Sequence, residues 1–183
     1  MENKQGAGIL FLVNSEMGGK YVAMGLSMWD KLEIFGGGRE HDENIIDTAI
    51  REASEEFGLD HTINLKKYIN NNPVHLTIDG RFKVYFVKVP FFDVAIPNEK
   101  ARERLRIYNQ LDGPGKSEYS HLVEMKEYFI IPLEQFIGDS TPYPIRDRDK
   151  KIVAHPSFNA NVEKIYNTQI PNISLSWGLH EKI

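Results

Sequence analysis

Hydrophobic residues in this chain fall into short runs that are separated by Gly, Pro and Asn, a pattern typical of β-strands. The run AGILFLVN is apolar at nearly every position, as in a strand buried on both faces, whereas FKVYFVKV alternates more regularly. A further short apolar run, LEIF at 32–35, ends at a glycine triplet. The strands that this pattern predicts are 7–14, 20–25, 63–69, 74–78, 82–89 and 125–131.

One long helical pattern lies between the early and the late strands, from about residue 43 to residue 57. Gly58 follows it at the position where a helix commonly ends. Its apolar residues recur at intervals of three and four, so they share one face of the helix. These residues are Ile46, Ile50, Ala53 and Phe57.

Three shorter helices are predicted in the second half of the chain. The first spans 98–110, with Asn98 as its N-terminal cap and the DGPG turn at 112–115 as its end. A short helix begins at 132–136, and a last one is expected over 156–167 after a loop-like stretch.

The order of these elements favours a single α+β domain, because one helix between groups of strands is not the regular alternation of a βαβ fold. A chain of 183 residues is long enough for one domain with a substantial core. We expect this domain to cover residues 1–137, with an insertion near 90–119. Residues 138–183 are expected to form a C-terminal extension that packs on the same domain.

The composition of the chain argues against several classes of function. The chain is 41% apolar and 26% charged, with a formal net charge of −4, as in ordinary globular proteins. The acidic balance argues against nonspecific nucleic-acid binding as the main task. There is no cysteine, which excludes disulfides, thiolate metal sites and cysteine nucleophiles and fits a cytoplasmic location. No apolar run reaches the length of a membrane span, so we expect no membrane association.

The long helix carries an unusual concentration of acid. Glu52, Glu55 and Glu56 fall within a turn and a half, and like charges at this spacing repel one another. Arg51 stands four residues before Glu55 and can pair with it. Three clustered carboxylates suit hard cations such as Mg²⁺, Mn²⁺ or Ca²⁺. A solvated acidic face with Arg51 as a surface partner would explain the same pattern without a metal.

The stretch from residue 37 to residue 59 resembles the Nudix box, G-x5-E-x7-R-E-U-x-E-E-x-G-U, where U is apolar. Gly37, Glu43 and Arg51 stand at the required spacing, and the residues EASEEFGL complete the motif without a gap. Many members of the family have Pro before the double glycine, where this chain has Phe35. The resemblance implies a Nudix-type α/β/α sandwich over roughly residues 5–137, with a mixed central sheet and one catalytic helix.

The resemblance also implies roles for the box residues. The metal ligands would be Glu52, Glu55 and Glu56, together with the carbonyl of Gly37. Arg51 would orient these carboxylates, Glu55 would take part in catalysis, and Glu43 would stand behind the ligands or help to hold the ion. The cofactor implied is Mg²⁺ or Mn²⁺.

A general base outside the box is common in this family, and EMKEYFIIPLEQF at 124–136 resembles the strand and turn that carries it. Ile130 stands where the family often has Trp. We expect Glu124 to be the base, with Glu127 and His121 as alternatives; each of them would also be unremarkable as a solvated side chain beside a strand.

Candidates for substrate binding lie on the helix at 98–110 and at Trp29. The helix at 98–110 carries four cations, Lys100, Arg102, Arg104 and Arg106, of which Arg102 and Arg106 are our candidates for phosphate contact. A charged face in solvent is the simpler interpretation of this helix, because glutamates are interleaved with the cations. Trp29 precedes the box and is a candidate for stacking on a base, or else a packing residue.

These features and the resemblance together predict a Mg²⁺-dependent Nudix pyrophosphohydrolase that acts on a small nucleoside diphosphate linked to another group. The substrate classes left open are nucleotide sugars, ADP-ribose, dinucleoside polyphosphates and modified nucleoside triphosphates. Hydrolysis of an RNA 5′ cap or 5′ pyrophosphate is an alternative, as is a catalytically silent nucleotide-binding module. The oligomeric state stays open, with a homodimer as one option.

Overall fold

The computed structural model of this chain describes residues 5–29, 32–59, 65–71, 74–78, 80–137, 162–167, 172–173 and 175. Within these residues seven strands form one mixed sheet. The strands are β1 Gly6–Asn14, β2 Lys20–Ser27, β3 Leu32–Glu33, β4 Phe35–Gly38, β5 His75–Ile78, β6 Phe82–Pro90 and β7 Met125–Pro132. The helices are α1 Ile45–Phe57, α2 Leu65–Asn71, α3 Ala95–Gln110, α4 Gly113–Tyr119 and α5 Leu133–Ile137, with a 3-10 turn at Ser120–Val123.

The centre of the sheet is β1, which pairs in parallel with β6 over its whole length and antiparallel with β2 at its C-terminal half. The N-terminal half of β1 pairs with β4 instead of β2. The C-terminal half of β2 pairs with β3. β7 pairs antiparallel with the other side of β2. This arrangement brings the glycines of β4 to the middle of the sheet, beside α1.

Apolar side chains cover both faces of the sheet, which makes the domain a three-layer sandwich. One face packs against α1, α2 and α3, and its core includes Phe11, Phe35 and Phe57. The other face packs against α5 and the helical turn 162–166, through residues such as Leu12 and Phe136. The predicted α+β sandwich with a mixed sheet is therefore confirmed, as are the strands expected at 7–14, 20–25, 82–89 and 125–131.

The strand expected at 63–69 is wrong, because residues Leu65–Asn71 form the helix α2. Leu65, Tyr68 and Ile69 are its buried residues, and their spacing places them on one side of a helix rather than on alternate sides of a strand. The segment is too short for periodicity alone to have separated the two conformations.

The cap expected at Asn98 is also wrong. Helix α3 begins at Ala95, where the side chain of Asp93 accepts a hydrogen bond from the Ala95 N–H at 2.8 Å. Pro97 falls in the first turn, where the missing N–H of proline costs nothing. The turn at 112–115 does end α3, but Gly113 also begins α4.

Part of the expected C-terminal helix lies within the described residues, at 162–166. The hydroxyl of Tyr166 accepts a hydrogen bond from the Tyr21 N–H at 2.9 Å and donates to the Tyr21 carbonyl. The Lys88 ammonium donates to the Tyr166 carbonyl at 2.7 Å. The loop expected at 138–156 lies outside the described residues, and the division at residue 137 stays a prediction.

Candidate active site

The helix α1 is fixed at both ends by its own sequence. The side chain of Asn44 caps its first turn by accepting from the N–H groups of Ile46 and Asp47, at 3.1 and 3.0 Å. Gly58 ends the helix in the left-handed conformation, with φ of 66°, and its N–H donates to the Ser54 carbonyl. The positions of the carboxylates on α1 are therefore set by a helix with defined ends.

An aromatic contact holds β4 against this helix. The rings of Phe35 and Phe57 stack nearly parallel, with an angle of 6° and centroids 4.3 Å apart. Phe35 takes the place of the proline that is common in the family, so here the position is held by packing rather than by a stiff backbone. This stacking brings the following glycines close to the acidic turn of α1.

Two carboxylates lie directly against those glycines. A Cβ atom placed on Gly37 would lie 2.5 Å from Glu52 Oε1, so a larger residue here would require this carboxylate to shift. A carboxylate oxygen of Glu56 accepts a hydrogen bond from the Gly36 N–H at 2.6 Å. Glu52 and Glu56 therefore both lie against the glycine pair of β4.

Arg51 connects the remaining acids of the motif. Its guanidinium donates to both oxygens of Glu43, at 3.0 and 3.1 Å, and to Glu52 at 2.9 Å. The predicted pair with Glu55 is present at 3.3 Å. A further hydrogen bond of 3.1 Å reaches the Gly38 carbonyl. Arg51 therefore offsets part of the repulsion between these acids and fixes their orientation.

The pKa values of the acids in this cluster are shifted in opposite directions. Hydrogen bonds from Arg51 hold the pKa of Glu43 below its ordinary value. Burial raises the pKa of Glu56 to about 9, with the negative charges of Glu52, Glu124 and Glu33 adding to the shift. Burial also raises the pKa of Glu52. Burial is thus the main reason why the charged forms of Glu52 and Glu56 are disfavoured in the metal-free protein.

Glu124 joins this cluster from outside the box. It stands between the 3-10 turn and β7. Burial raises the pKa of its carboxyl group, the charges of Glu55 and Glu33 add to the shift, and His121 opposes it. Glu33 could not be singled out from the sequence, because it shares no motif with the other acids. Glu127, the alternative base, is exposed.

Trp29 is placed beside Glu124 by the backbone. The N–H of Met28, its neighbour, donates to the Glu124 carbonyl at 2.8 Å. The Trp29 side chain is 66% exposed, so it is not a core packing residue.

The basic candidates on α3 behave differently from one another. Arg106 is exposed and forms an ion pair with Glu103 at 2.7 Å, and Arg102 is exposed as well. Within the described residues, neither forms a hydrogen bond or ion pair with the carboxylate cluster. Arg104 is 5% exposed and reaches α1 instead. Its burial could have been anticipated, because it follows Pro97 and Ala101 at helical spacing on the buried face.

The donor set fits a hard divalent cation, because it consists of carboxylate oxygens around a glycine backbone. Among the described residues, no three acidic or histidine side chains already converge as a ligand shell. Arg51 accounts for this arrangement, since Glu52 and Glu55 both point an oxygen at its guanidinium. Each of these two carboxylates uses only one oxygen on Arg51, so its other oxygen is the one that could face an ion.

No protein-family model and no curated protein sequence matches this chain. Solved structures do resemble it. An Ap4A hydrolase from C. elegans, determined as a binary complex, has a TM-score of 0.50 and 14% identity, covering 88% of this chain and 95% of that one. RenU, a Nudix hydrolase from M. smegmatis, has a TM-score of 0.43 and 13% identity, covering 90% of this chain and 85% of that one. The likeness to the Ap4A hydrolase shows the fold of this chain, and it is the Nudix-type sandwich that the box in the sequence predicts.

Proposed function

We propose that this protein is a Mg²⁺- or Mn²⁺-dependent pyrophosphohydrolase that cleaves the diphosphate bond of a small nucleotide. The observation that carries the proposal is the contact between the acidic turn of α1 and the glycines of β4. There Glu52 lies against Gly37, and Glu56 accepts a hydrogen bond from Gly36. Burying carboxylates together costs stability, and a divalent cation would convert their repulsion into attraction.

Glu52, Glu55 and Glu56 would hold the ion, with the Gly37 carbonyl as a further ligand. When bound, a divalent cation neutralises pyrophosphate oxygens and makes water more acidic. Arg51 keeps its bidentate contact with Glu43 in this proposal, and so stays in place when Glu52 and Glu55 hold the ion.

Glu124 is the general base in this proposal. Its raised pKa means that the ionised carboxylate binds a proton more tightly than an ordinary glutamate does, which suits the removal of a proton from water. The water oxygen bonds to phosphorus, its proton passes to Glu124, and the P–O bond of the anhydride breaks. The products are a nucleoside monophosphate and a phosphorylated remainder.

The substrate is proposed to be a small nucleotide rather than RNA. Removal of an RNA cap would be favoured by a basic stripe on α3, but Arg104 is buried and Arg106 is paired with Glu103. Trp29 is exposed next to Glu124 and offers an aromatic face for a nucleobase. Arg102 and Arg106 remain our predicted phosphate contacts for the distal part of the substrate.

The proposal is tested by product release from a substrate panel in the presence of Mg²⁺ or Mn²⁺. The panel contains dinucleoside polyphosphates such as Ap4A, ADP-ribose, nucleotide sugars, modified nucleoside triphosphates and 5′-capped RNA. The wild type is compared with Glu56→Gln, and Glu118→Gln on α4 serves as the control, because Glu118 is an exposed carboxylate outside the cluster.

We expect metal-dependent hydrolysis of one small-nucleotide class by the wild type and by Glu118→Gln, and its loss in Glu56→Gln. Turnover of capped RNA alone would overturn the substrate class. Tight binding of nucleotides without turnover would point instead to a silent binding module, and turnover that survives in Glu56→Gln would refute the site.

A further inference from the structure

Arg104 connects the inserted helix α3 to the acidic end of α1. One terminal nitrogen of its guanidinium donates to the Glu55 carbonyl at 2.9 Å. The other donates to the Tyr128 hydroxyl at 2.7 Å, and that hydroxyl in turn donates to the Glu56 carbonyl. The backbone of two successive box glutamates is thus held, directly or through one hydroxyl, by a single buried side chain.

The same helix is attached to β7 at one residue. The Asn98 side chain accepts from the Tyr128 N–H at 2.7 Å and donates to the Tyr128 carbonyl at 3.1 Å. Tyr128 stands four residues after Glu124, and its ring packs against Phe57 with centroids 5.1 Å apart. Helix α3 therefore bridges the two elements that carry the box carboxylates and the proposed base.

Burying the charged side chain of Arg104 at this position costs free energy. Within the described residues no carboxylate lies within 4.0 Å of its guanidinium, and its buried Nε–H has no hydrogen-bond partner. Burying a cation without a counter-ion is unfavourable, and an apolar side chain would pack here at lower cost. What an apolar side chain lacks is positive charge at the C-terminal end of α1, where helix carbonyls create a negative potential.

The guanidinium of Arg104 also packs closely against Gly58, the residue that ends α1. A Cβ atom on Gly58 would lie 3.2 Å from a terminal nitrogen of Arg104 and 3.4 Å from its central carbon. The last glycine of the box thus ends the helix and also leaves room for Arg104.

We propose that Arg104, acting with Tyr128, is a positioning residue that sets the last turn of α1 in register with β7. The proposal rests on the proposed function, because the geometry that it sets is that of Glu55 and Glu56 relative to Glu124. It assigns to the inserted helix a role in holding the site, in addition to any contact that its exposed arginines make with substrate.

The test uses Arg104→Met, Arg104→Lys and Tyr128→Phe in the full chain, with Arg81→Met as the control at an exposed arginine before β6. Hydrogen exchange of the metal-free proteins is measured on the peptide that covers residues 52–59. The values of kcat and KM are then measured on the substrate found in the panel, at a temperature where circular dichroism shows each variant to be folded.

In Arg104→Met we expect faster exchange in residues 52–59 and a kcat that is lower by about tenfold to a hundredfold, with KM changed little. Arg104→Lys, which keeps one charged donor, should recover part of kcat. The kcat of Tyr128→Phe should lie between those of Arg104→Lys and the wild type. A residue with a merely stabilising role would lower the melting temperature without this split between kcat and KM.

Unchanged exchange in residues 52–59, or an unchanged kcat in folded Arg104→Met, would overturn the proposal. If Arg104→Met does not fold, the same two criteria apply to Arg104→Lys and Tyr128→Phe. A wild type without turnover would count against the proposed function, whereas the exchange measurement would still decide whether Arg104 holds the helix end.

Discussion

Replacing Glu56 with glutamine tests the electrostatics of the carboxylate cluster without any knowledge of the substrate. Glu56 is 5% exposed, and burial raises its pKa from an ordinary 4.5 to about 9. The metal-free folded protein therefore holds a proton on Glu56 at pH 7, whereas the unfolded chain releases it. Glutamine has nearly the same shape as protonated glutamate and can still accept the hydrogen bond from Gly36.

The sign of the pH dependence follows from this proton. Because the folded state binds it and the unfolded state does not, Glu56 stabilises the protein below its unfolded pKa, and this contribution is lost as the pH rises toward about 9. One proton corresponds to about 1.4 kcal/mol per pH unit. Between pH 6 and pH 8 the free energy of unfolding should therefore fall by up to about 3 kcal/mol in the wild type relative to Glu56→Gln.

The assay is urea denaturation in EDTA at pH 6, 7 and 8, followed by circular dichroism, with Glu118→Gln as the control. The wild type and Glu118→Gln should show the same slope with pH, and Glu56→Gln a shallower one. Added Mg²⁺ should stabilise the wild type more at pH 8 than at pH 6, because binding displaces the proton. Parallel slopes for the wild type and Glu56→Gln in EDTA would refute the reasoning.

Three further substitutions test other parts of the account. Gly37→Ala places a Cβ 2.5 Å from Glu52 Oε1 and forces this carboxylate to shift, so it should reduce the Mg²⁺-dependent stabilisation in thermal denaturation, whereas Gly38→Ala, with open space around it, should not. Trp29→Ala should raise KM several-fold and leave kcat nearly unchanged if the exposed ring stacks on the base, and an unchanged KM would remove it from the binding site. Tyr166→Phe removes a buried hydroxyl hydrogen-bonded to the sheet, and should lower the free energy of unfolding by about 1–3 kcal/mol in urea; no change would mean that this contact does not hold the C-terminal extension.

The parts of the fold that the sequence predicted well are those with a long or repeated pattern. Helix α1 was predictable because its apolar residues recur over several turns and Gly58 marks its end. β1 and β6 were predictable because an apolar run of this length, rich in β-branched and aromatic residues and bounded by turn residues, is typical of a buried strand. In contrast, α2 is a helix of only seven residues, and its buried residues were compatible with either conformation.

The box residues could be predicted as a group because their spacing is fixed, but their electrostatic differences could not. Glu43 and Glu56 belong to the same motif, yet Arg51 lowers the pKa of one and burial raises that of the other. Such differences depend on tertiary contacts with β4 and β7. Arg104 stands in a run of charges that resembles a solvated surface, and only its helical spacing from Pro97 and Ala101 indicates that it is buried.

No helix among the described residues is both long and apolar enough to cross a membrane.

The most direct test of the central claim is Mn²⁺ binding by the metal-free protein, measured by electron paramagnetic resonance near pH 8. We predict that the wild type and Glu118→Gln bind Mn²⁺, and that Glu52→Gln/Glu56→Gln binds it more weakly by about tenfold or more, because each lost carboxylate removes charge and a ligand. Equal binding by all three proteins would contradict the assignment of this cluster as the metal site.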